Sequence, residues 1–251
     1  TFDWDTGEGR FWHEVDGHKV YVAHGYKDII KDCENSLKRL GTDYIDIYYT
    51  HNPVRDPAWL EKYPVEDTVR ALMDLKKAGK IRCIGSSNVD PEHIEAYMAC
   101  GCEIDIIQRK YTILARGVEE NILPICEKYG MTFHAYAPIE RGLLTGTVTK
   151  DRVVPPGDAR EDQAWWAPDK LPHAIDFVDG LKDICEEYHC TQTDLAIAFI
   201  RHNRPYVNVI YGARKIKHLE AGAATVNVTL RDDTVAEIRR RAEELEAKYG
   251  G

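Results

Sequence analysis

The sequence predicts an α/β fold on a parallel sheet, and three observations predict it. From about residue 44 onward, short segments rich in β-branched and aromatic residues alternate with segments of helical periodicity. The strand-like segments begin near residues 44, 81, 104, 131 and 206, and the intervals leave room for a helix between neighbours. Polar residues gather just after these segments, at the carboxyl ends where barrel and open-sheet α/β proteins place their sites.

Taken in order, residues 1–24 are rich in Gly, Asp and His and read as an ordered loop with a short ribbon at 19–23. Ile29, Ile30, Cys33, Leu37 and Leu40 then share one helical face, and Gly41 stands where a helix-ending glycine belongs. Residues 44–49 form the first strand, ended by His51-Asn52-Pro53. Pro64 opens a helix striped by Val65, Val69, Leu72 and Leu75, and Gly79 closes it. A strand at 81–85 runs into Ser86-Ser87-Asn88, and Asp90-Pro91 starts a helix through Ile94, Tyr97 and Met98. A third strand at 104–107 ends in Gln108, a helix covers 119–129, and a fourth strand at 132–136 ends in Ala137-Pro138. Residues 139–172, rich in Gly and Pro with Trp165-Trp166, read as a long substrate and cofactor loop. Helices at about 173–188 and 193–203, a strand at 207–211, a short helix after Gly212-Ala213-Arg214 and a charged helix at 231–248 complete the chain. That makes five clear strands and a sixth segment near Val20, against the eight that close the common barrel.

The composition narrows the function classes. With 251 residues and 43% hydrophobic content, the chain can bury a sizeable core without cross-links. A net charge of −9 argues against nucleic acid and against an anionic membrane surface as partners. No apolar run approaches the ~18 residues of a membrane span. Seven cysteines at irregular spacing, with no CxxC pair, read as reduced thiols of a cytoplasmic protein. No metal site is expected: His51 apart, the strand ends carry Ser, Asn, Gln and Tyr, which are poor zinc ligands.

The candidate site residues each have a chemical reading and a plain structural one. His51, just past a strand, can donate to a carbonyl oxygen or can satisfy loop carbonyls. Ser87, Asn88 and Gln108 suit a carboxamide, which needs donors and acceptors, yet Ser and Asn also cap turns. Tyr136 can stack a planar ring or close the edge of the core. Gly212-Ala213-Arg214 before a helix suits a phosphate, as it suits a capped surface helix. No GxGxxG or GxxxxGK[ST] pattern occurs.

In their order, five segments resemble the aldo-keto reductase family. They are Ser36-Leu37-Lys38-Arg39-Leu40-Gly41-Thr42-Asp43-Tyr44-Ile45-Asp46, His51-Asn52-Pro53, Lys80-Ile81-Arg82-Cys83-Ile84-Gly85-Ser86-Ser87-Asn88, Ala135-Tyr136-Ala137-Pro138 and Arg141-Gly142-Leu143-Leu144-Thr145-Gly146. The resemblance runs from about Tyr26 onward, and Asn88-Val89-Asp90, Asp105-Ile106-Ile107-Gln108 and Leu143-Leu144-Thr145-Gly146-Thr147 are similar to the family's NADH-dependent methylglyoxal reductase-like branch. It implies a (β/α)8 TIM barrel, of which residues 1–251 carry roughly strands 4 to 8 and the C-terminal helices as part of one domain. It implies hydride transfer from NADH or NADPH to a small aldehyde or ketone.

By the same resemblance, His51 is the histidine of a catalytic Asp, Tyr, Lys and His set, and Ser87, Asn88 and Gln108 hold the carboxamide. Tyr136 stacks on the nicotinamide, and Ala137, Ile139 and Gly142 lie in the segment around the pyrophosphate. Gly212, Arg214 and His218 lie in the adenosine-end segment. The sequence also departs from the family pattern. Thr147 replaces a usual lysine, Ala221-Gly222 a Glu-Asn pair and His218 an arginine, which leans toward NADH while Arg214 and Lys215 keep NADPH open. The family's Asp, Tyr and Lys fall on strands expected ahead of Thr1, supplied by the same chain or a partner; Asp3, Lys19 and Tyr21 lie in the wrong segment. That gap leaves an alternative, a non-catalytic nucleotide-binding regulatory subunit, and a homo-oligomer stays open.

Overall fold

A computed structural model describes residues 2–4 and 10–250. The backbone packs as two compact units, one of Thr1–Gln108 with Ile125–Met131 and one of Arg109–Pro124 with Thr132–Gly251.

The first unit opens with β1 (Phe2–Trp4), β2 (Arg10–Val15) and β3 (His18–Val22), an antiparallel sheet in the order β1-β3-β2. Strand β3 lies where the short ribbon at 19–23 was expected, and β1 and β2 replace the expected loop around it wherever that stretch is described; residues 1 and 5–9 lie outside the described residues. The cause is Asp16-Gly17. Both sit at positive φ (51° and 82°) between the paired Val15 and His18, the two-residue turn whose twist suits a hairpin.

Next come α1 (Tyr26–Leu40), β4 (Ile45–Thr50), α2 (Pro57–Lys62), α3 (Val65–Lys77), β5 (Ile81–Ser87), α4 (Pro91–Ala99) and β6 (Ile104–Lys110). Helix α1 turns Ile29, Cys33 and Leu37 inward, α3 turns Val69, Ala71, Leu72 and Leu75, and α4 turns Ile94 and Tyr97. Helix α2 is an addition to the sequence reading. Pro57 stands in its first turn, and Asp56 caps it by accepting the Ala58 N–H at 2.9 Å.

Strand β5 pairs in parallel with β4 on one side and β6 on the other. Five of its seven residues are buried, including the whole run 84–87, as expected of a strand covered on both faces, whereas no residue of β4 is fully buried. Between β5 and β6 the register steps from Ile84 opposite Ile104 to Gly85 opposite Ile106, which leaves Asp105 as the extra residue of a bulge. The Asp105 carboxylate answers the interruption. It accepts the Ile84 N–H at 2.8 Å and the Lys76 ammonium at 3.1 Å.

In chain order the remaining elements are α5 (Val118–Asn121), α6 (Leu123–Tyr129), β7 (Thr132–Tyr136), α7 (Leu171–Gly180), α8 (Lys182–Glu187), α9 (Gln192–Asn203), β8 (Val207–Val209), α10 (Ile216–Ala224) and α11 (Asp232–Tyr249). Short 3-10 turns occupy Glu140–Thr145 and Ala164–Trp166 in the long loop. Two single helices expected from periodicity are each divided. The first breaks at Ile122, before Pro124 in the first turn of α6; the second breaks at Leu181 after Gly180.

In the second unit β7 and β8 pair in parallel, with Phe133 opposite Val207 and Ala135 opposite Val209. Every residue from 195 to 200 on α9 is buried, which marks it as the unit's central helix. Val235, Ile238, Ala242 and Leu245 line the inner stripe of α11. Glu119 ties α11 to α5: its carboxylate accepts the Tyr111 hydroxyl and both terminal nitrogens of Arg239, Nη2 at 2.8 Å.

Removing the Asp105 carboxylate leaves the buried Ile84 N–H without its acceptor and Lys76 with Glu103 alone, at 3.1 Å. Asp105→Ala is expected to lower the unfolding free energy by about 1–3 kcal/mol in urea titration, and Asp105→Asn, which keeps an oxygen there, by less.

Candidate functional site

Pairing in the first unit brings four of the expected residues to one end of three strands. Thr50 lies opposite Ser86, and Ser87 opposite Gln108. His51 therefore follows the end of β4, Ser87 closes β5 and Asn88 is the first residue beyond it. Gln108 lies inside β6, two residues short of its end at Lys110, rather than past a strand ending at 107.

Asn88 is the knot of this cluster. Its backbone is left-handed (φ 58°), a conformation that Asn tolerates better than most residues. Its N–H donates to the Gln108 carbonyl at 3.1 Å, and its side-chain Nδ2 donates to the His51 carbonyl at 2.9 Å. Its own carbonyl accepts from Arg55, which also pairs with Asp90 at 3.0 Å. The Ser87 hydroxyl donates to the Gln108 carbonyl at 3.2 Å.

Tyr49 supports the cluster from below. Its ring lies against the bare Cα of Gly85, where a Cβ would stand 2.4 Å from the ring, and its phenol is hydrogen-bonded to the Gln108 side chain. Burial raises the phenol above its ordinary pKa, and the bond from Gln108 opposes that rise. His51 lines a cavity of about 540 Å³ together with Tyr48, Tyr49, Thr50, Arg55 and Trp59.

In the second unit Tyr136 closes β7, half-buried, and its carbonyl accepts the Tyr111 N–H at 3.4 Å. Ala137 is left-handed (φ 54°), as are three consecutive residues, Glu140 (φ 50°), Arg141 (φ 55°) and Gly142 (φ 101°). For residues other than glycine this costs about 1–2 kcal/mol each, so the surroundings must hold the segment. They do so through Glu140, which is only 1% exposed. Its carboxylate accepts the Lys110 ammonium and the Thr112 hydroxyl, the latter at 2.8 Å, and its carbonyl accepts the Trp166 indole N–H at 3.1 Å. Lys110 also donates to Gln163 at 3.0 Å. Trp165 and Trp166 are both buried and pack the long loop down.

Gly212 and Arg214 precede α10, and His218 lies in its first turn. Arg214, Lys215, Lys217 and His218 are exposed, and among the described residues none of them has an ion-pair partner. Gly222 packs under the Tyr211 ring, where a Cβ would come within 2.4 Å.

All seven cysteines are free, and burial pushes the thiols of Cys102, Cys126 and Cys185 up to about 12. Among the described residues no group of three or more His, Cys, Asp and Glu side chains is arranged to hold a metal ion. The sequence reading passed over Arg55, Tyr49, Lys110 and Glu140. The last lies in a Gly-rich loop, where a lone glutamate reads as solvated, and its burial is visible only in three dimensions.

Residues 16–243 match the profile of the aldo/keto reductase family. The chain is 38% identical over 239 residues to the NADH-specific methylglyoxal reductase of Escherichia coli K12, covering 95% of this chain and 72% of that protein. It is 34% identical to an aldo-keto reductase of Strobilurus tenacellus, covering 89% of this chain and 66% of the relative. Among solved structures, a glycerol dehydrogenase from Gluconobacter oxydans superposes with a TM-score of 0.83 at 25% identity, covering 99% of this chain and 70% of that one.

The two contributions of Asn88 separate by substitution. Asn88→Gly keeps the left-handed backbone and loses the bond to His51; Asn88→Ala loses both. Urea titration should find the Ala variant less stable than the Gly variant by about 1 kcal/mol.

Proposed function

The chain belongs to the aldo/keto reductase family, the enzymes that reduce carbonyls with NAD(P)H, and from that premise we propose how its residues serve the reaction. Strands β4 to β8 are read as the later five of an eight-stranded barrel, and the two compact units as parts of one domain. The family match running through residues of both units supports this. The half-exposed Ile45, Ile47, Tyr48 and Tyr49 of β4 also support it, because a parallel strand with apolar faces calls for a further neighbour.

The residues suit a nicotinamide dinucleotide. With its proton on the Gln108 carbonyl, the Ser87 hydroxyl keeps its lone pairs for an amide N–H, and Gln108 supplies an amide of its own. A Cβ at Gly142 or Gly212 would meet nothing within 4 Å, so a phosphate can approach either backbone closely. In this reading Ser87, Asn88 and Gln108 orient the carboxamide and Tyr136 stacks on the ring. Ala137, Ile139 and Gly142 take the pyrophosphate; Gly212, Arg214 and His218 take the adenosine end. The bound cofactor supplies a hydride. His51 donates its ring N–H to the substrate carbonyl oxygen and stabilises the charge that develops there. The proton donor is assigned to the strands that complete the barrel.

NADH is the proposed reductant, because Tyr211 fills the space that a side chain at position 222 would need. The proposed substrate is a small 2-oxoaldehyde of the methylglyoxal kind, supported by the relative that carries that activity in its name. Free thiols throughout suit a reducing compartment such as the cytoplasm, and no helix of the described residues is long and apolar enough to cross a membrane.

The observation that carries the proposal is the joining of His51, Ser87, Asn88 and Gln108 across three paired strand ends. Titration of the full-length protein, followed by nicotinamide fluorescence, is expected to show binding of NADH in preference to NADPH; binding of neither rejects the reading. With methylglyoxal as substrate, His51→Ala should lower kcat by ~10²-fold and leave the NADH Kd in place. An unchanged kcat removes His51 from the chemistry.

A further inference from the structure

We propose that Glu140 is a positioning residue for the cofactor's pyrophosphate, acting through the left-handed segment 140–142; the inference rests on the cofactor reading above. Glu140 is the most deeply buried carboxylate of the second unit, and its three partners come from two separate stretches of chain. Lys110 ends β6 and Thr112 lies two residues beyond it, and both hold the carboxylate, while Trp166 from the long loop holds the Glu140 carbonyl. Gln163 takes a second bond from Lys110 and closes the ring of contacts.

Stability alone does not account for this arrangement. An apolar side chain fills a buried position at least as well as an ion pair, which must first be desolvated. Glu140 instead spends a buried charge on a stretch of backbone held in a conformation that non-glycine residues avoid. The result is one fixed geometry for residues 137, 139 and 142, the positions read as receiving the pyrophosphate. Arg160 and Asp158 strengthen the outer side of the clamp. The guanidinium lies 5.0 Å above the Trp166 ring, and Asp158 holds it through two nitrogens, at 2.7 and 2.6 Å. A loop fixed before the ligand arrives loses less freedom on binding, so affinity is where the clamp acts.

The test uses the full-length enzyme with Glu140→Gln, and Lys110→Met as a second variant that leaves every backbone bond of the clamp in place. Two probes separate the parts of the cofactor. ADP-ribose carries the pyrophosphate without nicotinamide, and reduced nicotinamide mononucleotide carries the nicotinamide without the pyrophosphate. Glu140→Gln is expected to weaken NADH and ADP-ribose by roughly tenfold each, to leave the mononucleotide's Kd within twofold, and to leave kcat at saturating NADH unchanged. Lys110→Met should show the same selectivity at smaller size, which decides the matter if Glu140→Gln does not fold. Equal weakening of all three ligands, or a fall in kcat with affinities intact, overturns the positioning role. So does wild-type affinity for ADP-ribose in either variant. Wild-type protein that binds no dinucleotide at all fails the cofactor reading instead, and is recognised before any variant is made.

Discussion

The first unit depends on the parallel pairing of β5 with its two neighbours. That ladder sets Thr50 beside Ser86 and Ser87 beside Gln108, and so draws together residues that lie far apart along the chain. The other local features accommodate it. Asp105 repairs the bulge where the β5–β6 register steps, Gly85 gives up its side chain so that Tyr49 can cross the strand, and Asn88 turns left-handed to lead the chain away. Each is a short-range answer to a requirement set by hydrogen-bonded backbone, which cannot be left unpaired in a buried sheet without a cost of order 1–3 kcal/mol per group.

The second unit solves a different problem. It must hold irregular backbone after β7 in place where regular pairing is lacking. It does so with a buried carboxylate that is fully engaged, Glu140 by Lys110 and Thr112, while the half-buried Glu119, held by Tyr111 and Arg239, ties α5 to α11. A buried charge is tolerated when its partners satisfy it, and the several partners then fix the geometry around it. The same region carries the left-handed run at residues 140–142 and two buried tryptophans. The long loop is thus tied down near its start and at Trp166, while its intervening residues stay largely at the surface.

Most of the regular structure was legible in the sequence. The strands at 45, 81, 104, 132 and 207 lie within a few residues of where β-branched content and glycine punctuation put them, because those signals are local. Of the antiparallel sheet near the start only the ribbon that forms β3 was legible; β1 and β2 were missed although the turn signal, Asp16-Gly17, was present, because they lack clear apolar alternation. The divided helices were missed because a 3.6-residue period continues across a short break, and the helix-opening role of Pro124 does not disturb that period.

The sequence by itself determined the succession of the parallel strands β4 to β8, the polar residues at their ends and, through the order of its motifs, the aldo/keto reductase family. These follow from patterns of neighbouring residues and from motif succession along one chain. Tertiary structure alone decided that the amide of Asn88 holds His51, that Tyr49 lies across Gly85, and that Glu140 is a buried clamp rather than a solvated loop charge. The reason is range. Which carbonyl an amide meets, and whether a carboxylate is wet or buried, depend on residues tens of positions away, and no local pattern encodes that distance.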